Sequence, residues 1–135
     1  MIEYFEFGSE RLGEVIKIYE ECEWKSYLGK NDRLKKAFDN SLFILGAFEN
    51  GKLVGFIRCV GDTEFVLYIQ DLIVHPSYQR KGIGRELMRL TSEKYKDIRQ
   101  FLLITDKEDP CSNSFYKSIE MKNDFLGFPI NHYFR

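Results

Sequence analysis

No apolar run in this sequence approaches the ~20 residues that a membrane-spanning helix requires, so no membrane partner is expected. Cysteine is scarce: Cys22, Cys59 and Cys111 are the only three. They cannot all pair, and none sits in a Cys-x-x-Cys spacing. With two histidines in the whole chain there is no zinc-ligand pattern, and no metal is expected. The odd count, together with the absence of a signal-peptide pattern, predicts a reducing cytoplasm. Charge of one sign is also missing. Twenty Lys and Arg stand against 21 Asp and Glu, a net charge of -1. That removes the global basic field that draws a protein to nucleic acid, so any anion site must be local. Low-complexity stretches, linkers and internal repeats are absent too.

What is present suits one ordinary domain spanning 1–135. The chain is 44% apolar and 16% aromatic, and a chain of this length buries roughly two-thirds of its unfolded surface. Ile2 to Phe7 reads as a strand. Ser9 is placed to cap a helix carrying Leu12, Val15, Ile16 and Tyr19, which ends near Cys22. Trp24 to Lys30 reads as a loop or broken helix, and Asn31 or Asp32 as the cap of a second short helix. Leu42 to Phe48 and Lys52 to Val60 are strands joined by an Asn50-Gly51 hairpin turn. Glu64 to Val74 is the next strand and His75-Pro76 ends it. A helix carrying Ile83, Leu87, Met88 and Thr91 follows to about Lys96. Phe101 to Thr105 is a short strand, and Asp109-Pro110 breaks the chain. Ser112 or Asn113 starts a helix, and strands around Phe125 and Ile130 to Phe134 finish the chain. This order predicts an α/β class: a mixed, mostly antiparallel sheet with about four helices. The aromatic-rich end, Phe125 to Phe134, offers an edge for a homodimer.

The stretch Gln79-Arg80-Lys81-Gly82-Ile83-Gly84-Arg85 is the most informative. It places two glycines and three cations where a strand gives way to a helix. The first amides of a helix lack intrahelical partners, and the helix dipole adds positive charge there. Glycines would let an anion approach those amides, the arrangement of a phosphate cradle. For Gly-x-Gly alone the competing reading is a plain loop with solvated cations. Neither a P-loop nor the Gly-x-Gly-x-x-Gly dinucleotide fingerprint is present.

Those residues resemble the Gln/Arg-x-x-Gly-x-Gly/Ala signature of the GNAT superfamily of acetyl-CoA-dependent N-acetyltransferases. The signature follows a long strand ending in Asp71-Leu72-Ile73-Val74-His75-Pro76, and Asn113-Ser114-Phe115-Tyr116-Lys117 is similar to the superfamily's Asn-x-x-Phe/Leu-Tyr helix. The element order matches over essentially the whole chain. One departure is Glu120-Met121, where the superfamily usually has Gly-Phe. The resemblance implies acetyl-CoA as cosubstrate. Gln79, Arg80, Lys81, Gly82, Ile83, Gly84 and Arg85 would serve its pyrophosphate, the backbone of Ile73 and Val74 its pantetheine arm, and Asn113 the arm's other side. It also implies Tyr116 as the acid that protonates the leaving thiolate, and a backbone amide near Val74 that polarises the thioester.

The acceptor side is read from the residues. Tyr68 and Gln70 share one face of the long strand, and Asp71 lies on the other, flanked by Ile69 and Ile73. A carboxylate on an apolar stripe needs a reason. It binds or deprotonates an ammonium, or it accepts hydrogen bonds from a neighbouring loop. Trp24 and Tyr27, with Glu23, supply an aromatic wall with an acid. That wall suits an amine on an apolar or planar body, unless Trp24 simply plugs the core. The reaction expected is direct transfer of an acetyl group to a primary amine of a small molecule. The alternatives are a protein N-terminal or lysine acetyltransferase with a peptide acceptor, and a non-catalytic acyl-CoA-binding module.

Overall fold

The structure, a computed structural model, describes residues 1–123, 131 and 133–135. The two closing strands expected around Phe125 and Ile130 to Phe134, and the dimer edge placed on them, lie outside the described residues. Contacts divide the chain into two compact units, Met1–Leu103 and Ile104–Arg135.

The first unit holds a mixed five-stranded sheet in the order β1 (Ile2–Glu6), β2 (Phe43–Glu49), β3 (Lys52–Gly61), β4 (Val66–Val74) and β5 (Gln100–Leu103). The first three pairings are antiparallel and β4–β5 is parallel. β2 and β3 are joined at Asn50-Gly51, whose φ angles of 50° and 78° are those of the tight hairpin turn that matches strand twist. Both strands are buried almost throughout, as strands covered on two faces must be. On one face α1 (Leu12–Glu21) and α2 (Asn31–Asp39) bury Val15, Ile18, Tyr19, Leu34 and Phe38 against Ile44, Phe48, Phe56 and Ile73. On the other lies α3 (Ile83–Lys94), which buries Ile83, Leu87, Met88 and Thr91. The Tyr95 ring, just past its end, meets Phe43 of β2 edge-on at 5.4 Å.

The expected caps shift. Ser9 caps nothing: it begins a 3-10 turn, Ser9–Arg11, and its hydroxyl donates to Asp39 Oδ1 at 2.6 Å. Asn31 and Asp32 lie inside α2, whose cap position is Lys30. The strand expected from Glu64 begins at Val66, because Asp62 Oδ1 accepts the amides of Glu64, Phe65 and Val66 and holds them in a turn.

β4 also carries a bulge. Arg58 pairs with Asp71 and Cys59 with Ile69, so Gln70 is one residue more than β3 can match. Paired residues share a face. Ile69 therefore lies with Cys59 and Phe43 on the α3 side, and Asp71 with Arg58 on the α1–α2 side. The expectation that Ile69 and Asp71 share a face is overturned, because an extra residue reverses the alternation beyond it.

In the second unit α4 spans Pro110–Ser118. Asp109-Pro110 is its start rather than a break. The Asp109 side chain accepts from the amides of Cys111 and Ser112, and Pro110 occupies the first turn, where its missing N–H costs nothing.

Candidate active site

β4 outruns β5. Val66 to Ile69 pair with Gln100 to Leu103, and residues 70–74 continue with no partner on that edge among the described residues. The strand leads through a short turn, Pro76–Tyr78, to the start of α3. His75 caps that turn: its Nδ1 accepts from the Ser77 amide at 3.1 Å. Arg80 has a φ of 62° and Gly82, the cap residue of α3, a φ of 83°. Left-handed residues on either side of Lys81 fold the backbone back on itself, and such alternation gathers amides into an anion-binding concavity. A side chain at Gly82 would project into open space, so its positive φ is what selects glycine there. Arg80, Lys81 and Arg85 are exposed around it. Gln79 Nε2 donates to the Val74 carbonyl at 3.0 Å and ties the loop to the strand end.

A second feature opens on the α1–α2 side. A cleft of about 530 Å³ is lined by residues 23–27 and by Gln70 and Asp71 of β4. Trp24, Tyr27, Gln70 and Asp71, four residues singled out in the sequence for the acceptor, are thus brought together. Tyr68, half-buried and paired with Val60, does not line the cleft. Trp24 stacks on Tyr19 with ring centroids 6.0 Å apart while remaining 36% exposed, so it walls the cleft rather than plugging the core.

Asp71 is 1% exposed, and three donors converge on it. Arg58 Nε donates to Oδ2 at 2.6 Å, Tyr19 Oη to Oδ2 at 2.9 Å and Tyr27 Oη to Oδ1 at 2.7 Å. Burial, reinforced by the Asp71 charge, pushes both phenols above the usual tyrosine range and keeps them as donors. The two Asp71 oxygens are thus already taken up by three internal donors. Of the two readings of Asp71, the hydrogen-bond acceptor fits this geometry. Gln70 lies beside it: its Nε2 donates to Tyr27 Oη at 2.9 Å, so the bulge turns Gln70 and Asp71 toward the same tyrosine. The faces assigned to them from simple alternation do not hold. Arg58 and Tyr19 were missed in the sequence. The signal was available for Arg58, a cation inside the apolar run Leu53 to Val60, one strand away from an equally misplaced carboxylate.

In the second unit Asn113 is fully engaged. Its Nδ2 donates to the carbonyls of Asp106, Lys107 and Asp109, and its Oδ1 accepts from Thr105 Oγ1 at 2.8 Å. It clamps the loop before α4, which leaves it no free donor for a coenzyme. Tyr116 lies on the same helix, its ring edge-on to Phe115, and burial pushes its phenol up to about 12. Among the described residues no group of side chains has the composition of a metal site, and no helix is long and apolar enough to cross a membrane.

A strand that outruns its parallel neighbour and enters a glycine-capped helix among cations belongs to a recognisable class of transferase folds. The model of the GNAT acetyltransferase family matches residues 12–120, and the chain belongs to that family. A ycf52-like N-acetyltransferase of Prochlorococcus marinus is 42% identical over 92 residues, covering 64% of this chain and 49% of that protein. The ycf52 N-acetyltransferase of Gracilaria tenuistipitata is 35% identical over 137 residues, covering 85% of this chain and 72% of that one. The chain thus spans about half the length of the first of these relatives and 72% of the second. A solved GNAT-family acetyltransferase from Streptococcus pneumoniae superposes with a TM-score of 0.84 at 32% identity, over 100% of this chain and 98% of that one.

Proposed function

We propose that the chain, as one domain over 1–135, transfers the acetyl group of acetyl-CoA to a primary amine of a small molecule. The observation that carries this reading is the continuous path from the unpaired edge of β4 to the left-handed Gly82. Residues 73 and 74 offer backbone groups to the pantetheine arm, and the amides that open α3 meet the diphosphate among Arg80, Lys81 and Arg85. The fold is shared with the PaiA N-acetyltransferase of Thermoplasma acidophilum, solved in complex with coenzyme A (TM-score 0.75, 22% identity). Solved neighbours of the same fold include an aminoglycoside acetyltransferase in complex with sisomicin.

In this reading the neutral amine nitrogen bonds to the thioester carbon, the C–S bond breaks, and the proton that the nitrogen loses ends on the departing sulfur, so that coenzyme A leaves as the free thiol. Tyr116 supports the leaving sulfur. A phenol at about 12 against a thiol at ~8.5 makes complete proton transfer uphill by roughly 5 kcal/mol. Tyr116 therefore acts by donating a hydrogen bond to the sulfur rather than by giving up its proton early.

Calorimetric titration with acetyl-CoA tests the coenzyme site. Micromolar binding is expected, with dephospho-coenzyme A retaining the diphosphate-dependent part. Gly82→Asp, which strains the left-handed position and adds a negative charge, should weaken binding at least tenfold. No heat of binding to the wild-type protein, or unchanged affinity in G82D, would overturn the assignment. Free-thiol release with a panel of amines then separates an acetyltransferase from a silent acyl-CoA binder.

A further inference from the structure

The orientation of one cleft group is dictated by a chain of hydrogen bonds that starts in the core. The Arg58 guanidinium only donates, and the carboxylate paired with it, Asp71, only accepts. Tyr27 has one hydroxyl hydrogen, and at 2.7 Å from Asp71 Oδ1 that hydrogen belongs to the carboxylate. What remains on the Tyr27 oxygen is lone pairs. They face Arg58 Nη2 at 3.4 Å, a donor, and the Gln70 side chain at 2.9 Å. Gln70 must therefore present its NH2 group. The flipped amide would set an acceptor against an oxygen whose hydrogen is already used. The Gln70 carbonyl oxygen is left facing away from Tyr27, on an exposed residue that lines the cleft, and accepts no hydrogen bond among the described residues.

We propose that Gln70 Oε1 receives an N–H of the acceptor amine, and that the site takes weakly basic amines, which arrive already neutral. This rests on the acetyltransferase reading and narrows its substrate class. The first half follows from the fixed amide. The second follows from what surrounds it. Tyr19 on α1, Arg58 on β3 and Tyr27 in the loop are all bound to Asp71 on β4. The other charged groups on the cleft are Glu23 and Lys25, both exposed on the loop. Gln70 recognises the nitrogen but cannot take its proton. An alkylamine is only about one part in a thousand neutral at pH 7.4, whereas an α-amino group of pKa ~7.7–8.0 is roughly a quarter neutral. Tyr27 is a positioning residue for Gln70 and does not itself touch the amine.

The test uses acetyl-CoA with two amines of nearly equal size, glycinamide and n-propylamine, followed by thiol release from pH 6 to 10. For the wild-type protein kcat/KM should rise with each amine's own ionisation, levelling near pH 8 for glycinamide and still rising about tenfold per unit for n-propylamine. At pH 7.4 glycinamide should be favoured by about two hundredfold. Gln70→Leu should lower kcat/KM for both amines at least tenfold with the KM for acetyl-CoA unchanged. Tyr27→Phe should raise the amine KM several-fold while kcat at saturating amine and the pH limbs stay in place, since the amide is present but no longer held. Gln70→Glu, which puts a base where the neutral acceptor stands, should cut the preference for glycinamide at least tenfold. A shared limb at one pH for both amines would mean that an enzyme group takes the proton and would overturn the proposal while leaving the acetyltransferase intact. The disappearance of such a limb in Glu23→Gln would identify that group. No thiol release from either amine, with calorimetric coenzyme binding intact, would sink the acetyltransferase reading and this proposal with it.

Discussion

Replacing Arg58 by methionine isolates the electrostatic centre of the first unit. Arg58 and Asp71 side chains are 5% and 1% exposed. The guanidinium also lies 5.2 Å above the Phe38 ring and donates to Ser41 Oγ at 3.2 Å. Methionine keeps most of the apolar stem against Phe38 and deletes the charge. What is left is a carboxylate buried against two phenols. Removing one partner of a buried ion pair costs about 3–5 kcal/mol, because the other charge stays desolvated. The two tyrosine hydrogen bonds place R58M toward the lower end. At an unfolding entropy of about 2.1 cal/mol/K per residue, such a loss lowers Tm by roughly 10–18 °C for a chain of this length. Thermal unfolding followed by circular dichroism reads it directly. Lys35→Ala, which breaks the solvent-exposed pair with Asp39, serves as the control and should barely move the midpoint. If R58M unfolds within about 3 °C of the wild type, the carboxylate does not depend on the guanidinium. The fixed orientation of Tyr27 and Gln70 would then lose its foundation.

Two further outcomes follow from other parts of the molecule. Tyr116→Phe should reduce turnover while leaving acetyl-CoA affinity unchanged by calorimetry. With the phenol at about 12, the wild-type activity should show no falling limb up to pH 10, since the donor is still protonated there; an alkaline limb near pH 9 that vanishes in Y116F would contradict this. Gly55→Ala tests how closely β3 and β4 approach: its new methyl would sit 3.0 Å from the Ile73 carbonyl oxygen and 3.2 Å from a Val74 methyl. Overpacking of this kind costs about 1–3 kcal/mol, and a urea midpoint equal to that of the wild type would show that the strands can part.

Much of the architecture was legible in the sequence because its signals are local. Asn50-Gly51 marks a hairpin without help from the rest of the chain, and helical spacing of Leu12, Val15, Ile16 and Tyr19 announces α1. The glycine signature before α3 was legible for the same reason, being seven consecutive residues. What was not legible depends on two segments at once. The bulge at Gln70 is a mismatch of count between β3 and β4, and neither strand shows it alone. Alternation within β4 stays regular in burial across the bulge, 67, 69, 71 and 73 all being buried, yet the first two serve one helical layer and the last two the other. The partners of Asp71 come from 13, 44 and 52 residues away, which is why its role could only be stated as alternatives. Asp109 was misplaced because Asp-Pro both breaks chains and starts helices, and only the amides it accepts decide between the two.

The bulge has a consequence for how this strand can change over generations. Strike Gln70 from the chain and the ladder becomes regular: Asp71 still stands opposite Arg58, Ile69 still opposite Cys59, and both helical layers keep the residues they bury. The β3–β4 ladder thus has no need of this one position. Gln70 is a surplus letter, inserted where the sheet did not ask for one. Its retention is a matter for the cleft it lines, where its side chain meets Tyr27.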